Sequence, residues 1–222
     1  MATTKAMSIP TVEGAVGSPA FGRFAGLCTL LAGIINFLYA VAFVIIARNA
    51  PALGGLLSAL FLLLGGLLIT ATITALYARL RETEPAFALW ALLLGAIGAL
   101  GQAIHGGYDL GNSINPPAPS AEVAAALASL PSQVDPRGLT TFGIMGIALW
   151  VIAWLMSRNG TFPKNLAYLG YALAILFIIL YLARLIIFNP ANPLLLVPVL
   201  ITGFIVNPAW YIWLGIHLWR GR

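Results

Sequence analysis

Residues 49–78 read NAPALGGLLSALFLLLGGLLITATITALYA and contain no charged side chain. The hydrocarbon core of a bilayer is roughly 30 Å thick, and an α-helix needs about 20 mostly apolar residues to cross it. Because this stretch is long enough and places no charge in lipid, it predicts a transmembrane helix.

The same pattern recurs along the whole chain, in five further uncharged stretches of similar length. The 222-residue chain is 61% hydrophobic and 8% charged, whereas soluble domains carry about 25% charged residues. A single soluble core could not bury so many apolar side chains. The sequence therefore predicts an all-α polytopic membrane protein with six transmembrane helices, at residues 23–47, 53–78, 86–107, 139–157, 166–188 and 194–219.

The distribution of basic residues predicts an orientation, because cytoplasmic loops are enriched in Lys and Arg. Six spans place both termini on one side of the membrane. Most of the basic residues fall on that side: Lys5, Arg23, Arg79, Arg81, Arg158, Lys164, Arg220 and Arg222. Arg48, Arg137 and Arg184 fall on the other. We therefore expect both termini in the cytoplasm and the longest connection, 108–137, outside.

The domain organisation is simple. Residues 1–22 hold mostly Gly, Pro, Ser and Thr without apolar periodicity and predict a flexible N-terminal tail. Residues 23–222 form one six-helix transmembrane domain. Within the extracytoplasmic loop 108–137, Ser120 can cap a short surface helix and Glu122 suits the positive end of its dipole.

A few polar residues fall inside the predicted spans. Gln102, His105 and Asp109 share one face at the outer end of the third span. Arg184 lies about one turn from the outer end of the fifth, with Tyr181 on the same face. Ionisable residues within a span usually face a bundle interior or a wet cavity. We expect one outward-facing polar pocket, in which Arg184 pairs with Asp109 and His105 lies beside them.

Further polar residues lie at similar depth in the first and last spans. The proline of Asn207-Pro208 predicts a kink in the last span, and we expect Asn207 to hydrogen-bond to Asn36. Structural alternatives exist: Arg184 can extend to the lipid headgroups, Asp109 can belong to the loop, and the kink can be purely structural. The candidate ligand-binding residues are Arg184, Asp109, His105, Gln102, Tyr181, Tyr39, Asn36 and Asn207.

Several activities lack their sequence signatures. His105 and His217 fall near opposite faces of the membrane and cannot share one haem, and no span contains the lysine of a retinal Schiff base. Cys28 is the only cysteine, so no disulfide or redox pair is expected. Neither metalloprotease, hydrolase nor nucleotide-binding motifs occur. We predict no catalytic residue, metal or cofactor, and no nucleic-acid partner, since topology accounts for the net charge of +5.

Two short stretches carry a resemblance to a known family. They are Tyr77-Ala78-Arg79-Leu80-Arg81, at the exit of the second span, and Asn207-Pro208-Ala209-Trp210 through Leu214-Gly215 in the sixth. With the six-span layout, they resemble a family of uncharacterised bacterial six-helix integral membrane proteins. The resemblance covers most of the chain and implies a bacterial inner membrane location, but no known activity.

Three functional classes remain open. The leading one is a membrane protein without catalysis, which binds a lipid or small hydrophobic ligand or serves as an accessory subunit of a membrane complex or as a homo-oligomer. The second is a small transporter or channel that uses the outward-facing pocket. The third is a membrane enzyme. A transporter needs a polar path to the cytoplasm, an enzyme needs His105 within hydrogen-bond reach of Asp109, and an accessory subunit needs a flat small-residue face.

Overall fold

The computed structural model describes residues 18–115, 134–187 and 192–221, and it confirms the six-helix fold class. Each helix is long and apolar enough to cross a membrane. The helices are α1 (Pro19–Asn49), α2 (Pro51–Leu80), α3 (Pro85–Ile114), α4 (Leu139–Arg158), α5 (Lys164–Ile186) and α6 (Pro193–Trp219). The chain is therefore a multi-pass membrane protein.

Proline and capping side chains determine where several helices begin. A proline has no N–H to leave unsatisfied in the first turn, and its φ already suits a helix. The Ser18 hydroxyl accepts a hydrogen bond from the Phe21 N–H at 3.2 Å, and the Asn192 side chain accepts one from the Leu194 N–H at 3.0 Å. Prolines occupy the first position of four helices: Pro19, Pro51, Pro85 and Pro193.

Two predicted boundaries are wrong. Helix α3 continues to Ile114, so residues 108–114 belong to the helix and not to the loop. The apolar run ends earlier, but backbone hydrogen bonds continue until the Pro116-Pro117 pair disfavours helix. Helix α1 begins at Pro19, inside the expected tail. The remainder of that tail, 1–17, and the short helix expected near Ser120 lie outside the described residues.

The helices pack side by side in chain order, and α6 closes the ring by packing on α1. Residues 18 and 221 lie at one end, which we call the terminal end. The opposite end, which carries Ala50 and the connection after α3, is the loop end. Because α1, α3 and α5 alternate around the ring, their side chains can meet only across the bundle interior.

Glycines allow the closest approaches between helices. A Cβ atom at Gly26 of α1 would lie 2.5 Å from the Trp219 nitrogen of α6. One at Gly66 of α2 would lie 2.6 Å from backbone atoms of Ala99 and Ala103 in α3. Small residues let backbones approach closely in lipid, where packing rather than hydrophobicity holds helices together. These glycines serve contacts within the bundle.

Large apolar side chains fill the interior from mid-membrane toward the terminal end. Ile73, Leu149, Trp210 and Leu214 are all fully buried. Close packing of such side chains accumulates many weak dispersion contacts. The interior on the terminal side of the polar residues described next is therefore mostly apolar, and within it Thr29 of α1 and Thr72 of α2 form a buried hydrogen bond of 2.9 Å.

Three π-helical turns interrupt the helices, all in the loop-end part of the bundle. They span Val41–Ile46 in α1, Leu139–Ile144 in α4 and Thr202–Val206 in α6. The irregularity expected at Asn207-Pro208 takes the form of the last of these turns, because Pro208 has no N–H to donate to the preceding turn. π-Turns occur frequently at functional sites, and here they surround the polar residues of the interior.

A polar cluster at the loop end of the bundle

The imidazole of His105 and the carboxylate of Asp109 lie together on α3, with 3.1 Å between Nε2 and a carboxylate oxygen. The two residues are one turn apart, and the continuation of α3 beyond residue 107 is what brings them together. Nε2 donates to the carboxylate, which leaves Nδ1 as the second hydrogen-bonding atom of the ring. His105 is 9% exposed, and its Nδ1 has no partner among the described residues.

Amide side chains from three helices meet just below this pair. Asn36 Nδ2 of α1 donates to Asn207 Oδ1 of α6 at 3.3 Å, which confirms the predicted hydrogen bond. Gln102 Nε2 of α3 donates to the Leu62 carbonyl of α2 at 3.4 Å. A Cβ atom at Gly65 of α2 would lie 2.8 Å from Asn36 Oδ1 and 3.0 Å from Gln102 Nε2. The absent side chain at Gly65 therefore makes room for both amides.

Arg184 does not form the expected ion pair with Asp109 in the part of the chain that is described. Its guanidinium donates to the Pro136 carbonyl at 3.5 Å and lies over the Phe142 ring at 5.5 Å. Arg184 lies two residues before the end of α5, so its long side chain reaches the segment that enters α4. Asp109 pairs with His105 on its own helix.

Tyr39 of α1 lies in the loop-end part of the bundle, shortly before the π-turn of that helix. Its ring stacks on Phe43 with 5.7 Å between centroids.

Tyr181 of α5 and Thr202 of α6 also lie in the loop-end part of the bundle. A Cβ atom at Gly143 of α4 would lie 3.1 Å from the Tyr181 ring, so this tyrosine packs against α4. Thr202 lies in the π-turn of α6, is 3% exposed, and its hydroxyl has no partner in the described part of the chain. Two buried polar groups near the loop end, this hydroxyl and His105 Nδ1, are thus available to a ligand.

The structural role of Asp135 was not predicted from the sequence. It is 9% exposed and accepts hydrogen bonds from the backbone N–H and the hydroxyl of both Thr140 and Thr141, at 2.8–3.3 Å. Burial raises the pKa of the Asp135 carboxyl. The four hydrogen bonds lower it by more, so the pKa lies below its usual value. An aspartate shortly before a Thr-Thr pair at a helix start is the signal that could have identified it.

Asp135 also positions the wall of the cluster that Arg184 contacts. The Gly138 N–H donates to the Asp135 carbonyl at 2.9 Å, and Gly138 adopts a φ of 76°, which glycine tolerates without strain. This turn holds the Pro136 carbonyl within reach of Arg184. The entry to α4 is therefore built by Asp135 and Gly138 together.

A separate groove of about 630 Å³ lies on the outside of the bundle, between the loop-end parts of α1 and α6. Apolar side chains such as Ile45, Phe204 and Ile205 form its walls, with Arg48 and Asn49 at its rim. None of the cluster residues lines it. Its walls face the bilayer and suit lipid acyl chains, so the chemistry of the polar cluster carries the functional inference instead.

The described residues contain no group of three His, Cys, Asp or Glu side chains placed to hold a metal ion. The side chains of the cluster can form hydrogen bonds and ion pairs. No protein-family model, curated protein or solved structure matches the chain. The resemblance to bacterial six-helix membrane proteins stays a prediction, and function has to be inferred from the cluster itself.

Proposed function

We propose that this protein binds a lipid or small hydrophobic molecule through a polar head group, in the interior of the bundle at its loop end. The observation that carries the proposal is His105, which is nine-tenths buried and pairs through Nε2 with Asp109 while Nδ1 has no partner. A buried polar atom without a hydrogen bond costs about 1–3 kcal/mol. A ligand that hydrogen-bonds to Nδ1 removes that cost.

The geometry favours a particular head-group chemistry. A hydroxyl can donate to an unprotonated Nδ1 and can accept from a protonated one, so a hydroxyl on the ligand suits this atom in either state. The Thr202 hydroxyl can donate or accept, and Tyr39 and Arg184 supply further donors for an acceptor on the same head group. An amphipathic molecule with a hydroxyl-bearing head satisfies all of these groups.

The interior layout favours binding over transport. Conduction requires a polar or hydrated path through the membrane. Beyond the Asn36–Asn207 hydrogen bond, Ile73, Leu149 and Trp210 occupy most of the interior toward the terminal end, and the same part of the interior contains the Thr29–Thr72 hydrogen bond. The concentration of polar groups at one end supports a binding site there more than a path across the membrane. The glycine faces that an accessory subunit would offer to a partner are occupied by contacts between this protein's own helices.

A membrane enzyme is the second candidate, because a carboxylate–imidazole pair at 3.1 Å can act as a general base. This candidate predicts that the bound molecule is chemically changed when it is released. A pure binding protein returns it unchanged. Mass spectrometry of the molecule before and after one cycle of binding and release separates the two functions.

We propose further that both termini lie in the cytoplasm and that the cluster opens to the opposite side, in accordance with the distribution of basic residues. The test uses single cysteines at Asn115 and Gly221 in a Cys28→Ser background, labelled on intact cells with a membrane-impermeant maleimide. We expect label at Asn115→Cys and none at Gly221→Cys. The reverse pattern would contradict the orientation without affecting the ligand proposal.

Native mass spectrometry of the full-length protein, gently extracted from its membrane, tests the ligand proposal directly. The wild type should carry a bound molecule with a hydroxyl-bearing head, and His105→Leu should lose it. His217→Leu is the matched control, because His217 is equally buried but packs on Phe162 near the terminal end. A wild type without any bound molecule, or equal loss in both variants, would overturn the proposal.

A further inference from the structure

The terminal end contains a second concave site, far from the polar cluster. It is a pocket of about 330 Å³ between the start of α1 and the last turns of α2 and α6. Known ligand pockets range over roughly 300–1,000 Å³, so this one is large enough for a small polar group. Three arginines from the three helices line it: Arg23, Arg79 and Arg220.

The pocket concentrates positive charge. The start of α1 contributes the positive end of a helix dipole, worth about half an elementary charge. There is no acidic residue in the first turn of α1, and none among the described residues that line the pocket. The structure therefore brings three arginines together in one pocket, and their combined charge exceeds the partial charges of the α1 N-terminus and the α2 and α6 C-termini around it.

The dipole of α1 does not favour a cation at the position of Arg23. Arg79 and Arg220 lie at helix C-termini, where the dipole favours a cation. Arg23 lies near the N-terminus of α1, where the same dipole disfavours it. An anion bound between Arg23 and the other two arginines would reverse that unfavourable interaction.

We propose that this pocket binds the phosphate of an anionic phospholipid head group. Arginine forms two parallel hydrogen bonds to phosphate oxygens. The pocket lies at the ends of transmembrane helices, the depth at which lipid head groups are found, and Trp219 beside it is 56% exposed, as an interfacial anchor should be. Basic pockets between transmembrane helices are known to hold such head groups.

The positive-inside tendency alone does not produce this arrangement. Topology requires only that basic residues lie on one side, wherever they are on the surface. Arg158 and Lys164 belong to the same end and satisfy that requirement without lining the pocket. Arg158 instead lies over the Trp154 ring at 4.8 Å. These two residues provide a control with the same change of charge.

Native mass spectrometry of the full-length protein in mild detergent tests this site, with phosphatidylglycerol, phosphatidylcholine and glycerol 3-phosphate as probes. The wild type should retain phosphatidylglycerol in preference to phosphatidylcholine. Arg23→Gln with Arg220→Gln should weaken that retention about tenfold or more, because each basic residue near the head group contributes attraction. Arg158→Gln with Lys164→Gln should leave it unchanged.

A second variant tests the pocket without changing charge. A Cβ atom at Gly22 would lie 3.9 Å from the Arg79 guanidinium, in ordinary contact, so Gly22→Leu fills the pocket and should also reduce retention. Equal loss in the two double variants, or retention in Gly22→Leu, would contradict the site. Competition by glycerol 3-phosphate at the concentrations at which phosphatidylglycerol binds would overturn the lipid assignment in favour of a soluble phosphate ester.

Discussion

The two halves of this bundle are held together in different ways. Toward the terminal end, backbones touch at Gly26 and Gly215, and buried side chains such as Leu149 and Trp210 fill the space between helices. Toward the loop end, three helices contain π-turns and the interior holds amides, a histidine and carboxylates. Close glycine contacts occur in both halves, including Gly106 against Leu63 near the loop end, and the difference is that ionisable and amide side chains are concentrated in the interior of the loop-end half.

The contrast separates stability from recognition. Within lipid, helix association depends on close packing, while single polar contacts between helices contribute little, about 0.6 kcal/mol on average. Polar residues inside a span are costly to keep, which marks them as functional candidates. Substitutions in the terminal half should therefore change stability strongly, and substitutions in the cluster should change ligand binding more than stability.

The largest effect is expected for Gly26→Ala. The new Cβ atom would lie 2.5 Å from a backbone atom of Trp219, which cannot move without shifting α6, and overpacking of this kind costs about 3 kcal/mol. Unfolding in mixtures of mild detergent and SDS measures the loss. Gly55→Ala is the control: it faces open space and should gain up to about 1 kcal/mol from helix propensity. Similar stabilities for the two variants would contradict the packing described for the terminal half.

Asp135→Asn should produce the next largest effect, a loss of about 1–2 kcal/mol at neutral pH from weakened charged hydrogen bonds. The folded-state pKa of Asp135 lies below its usual value, so its contribution is complete above about pH 4 and is lost as the pH falls through the folded-state pKa. The difference in unfolding midpoint between wild type and variant should narrow over that acidic range. Glu84→Gln, at a helix start without a side-chain cap, should show no such difference; a constant gap for Asp135→Asn would argue against the cap.

The sequence was sufficient to predict the fold, because charge-free runs of bilayer length admit few other structures. It was also sufficient for the Asn36–Asn207 hydrogen bond, since two amides at similar depth have few other partners in lipid. It could not predict the partner of Arg184. The partner of Arg184 depends on where α3 ends and on the conformation of the segment that enters α4. Neither can be predicted from the hydrophobicity of the sequence. The role of Gly65 was equally hidden, because its neighbours come from two other helices.

Gly65→Ala should have a small effect on stability and a large one on the cluster. The new methyl group meets the ends of the Asn36 and Gln102 side chains, which can rotate away, and the gain in helix propensity of about 0.5–1 kcal/mol offsets a lost hydrogen bond. We expect stability within about 1 kcal/mol of wild type and loss of the bound molecule in native mass spectra. Strong destabilisation with the ligand retained would reverse the proposed division between the two halves.

The smallest effects come from pairwise couplings within the cluster, and they decide how it is connected. A double-mutant cycle of Asn36→Leu and Asn207→Leu should give a coupling of about 0.6 kcal/mol, since the two amides are bonded. A cycle of Arg184→Gln and Asp109→Asn should be additive within about 0.5 kcal/mol, because Arg184 is held by Pro136 and Phe142. A coupling of 1 kcal/mol or more, well beyond the roughly 0.5 kcal/mol expected of independent sites, would restore the direct ion pair between Arg184 and Asp109.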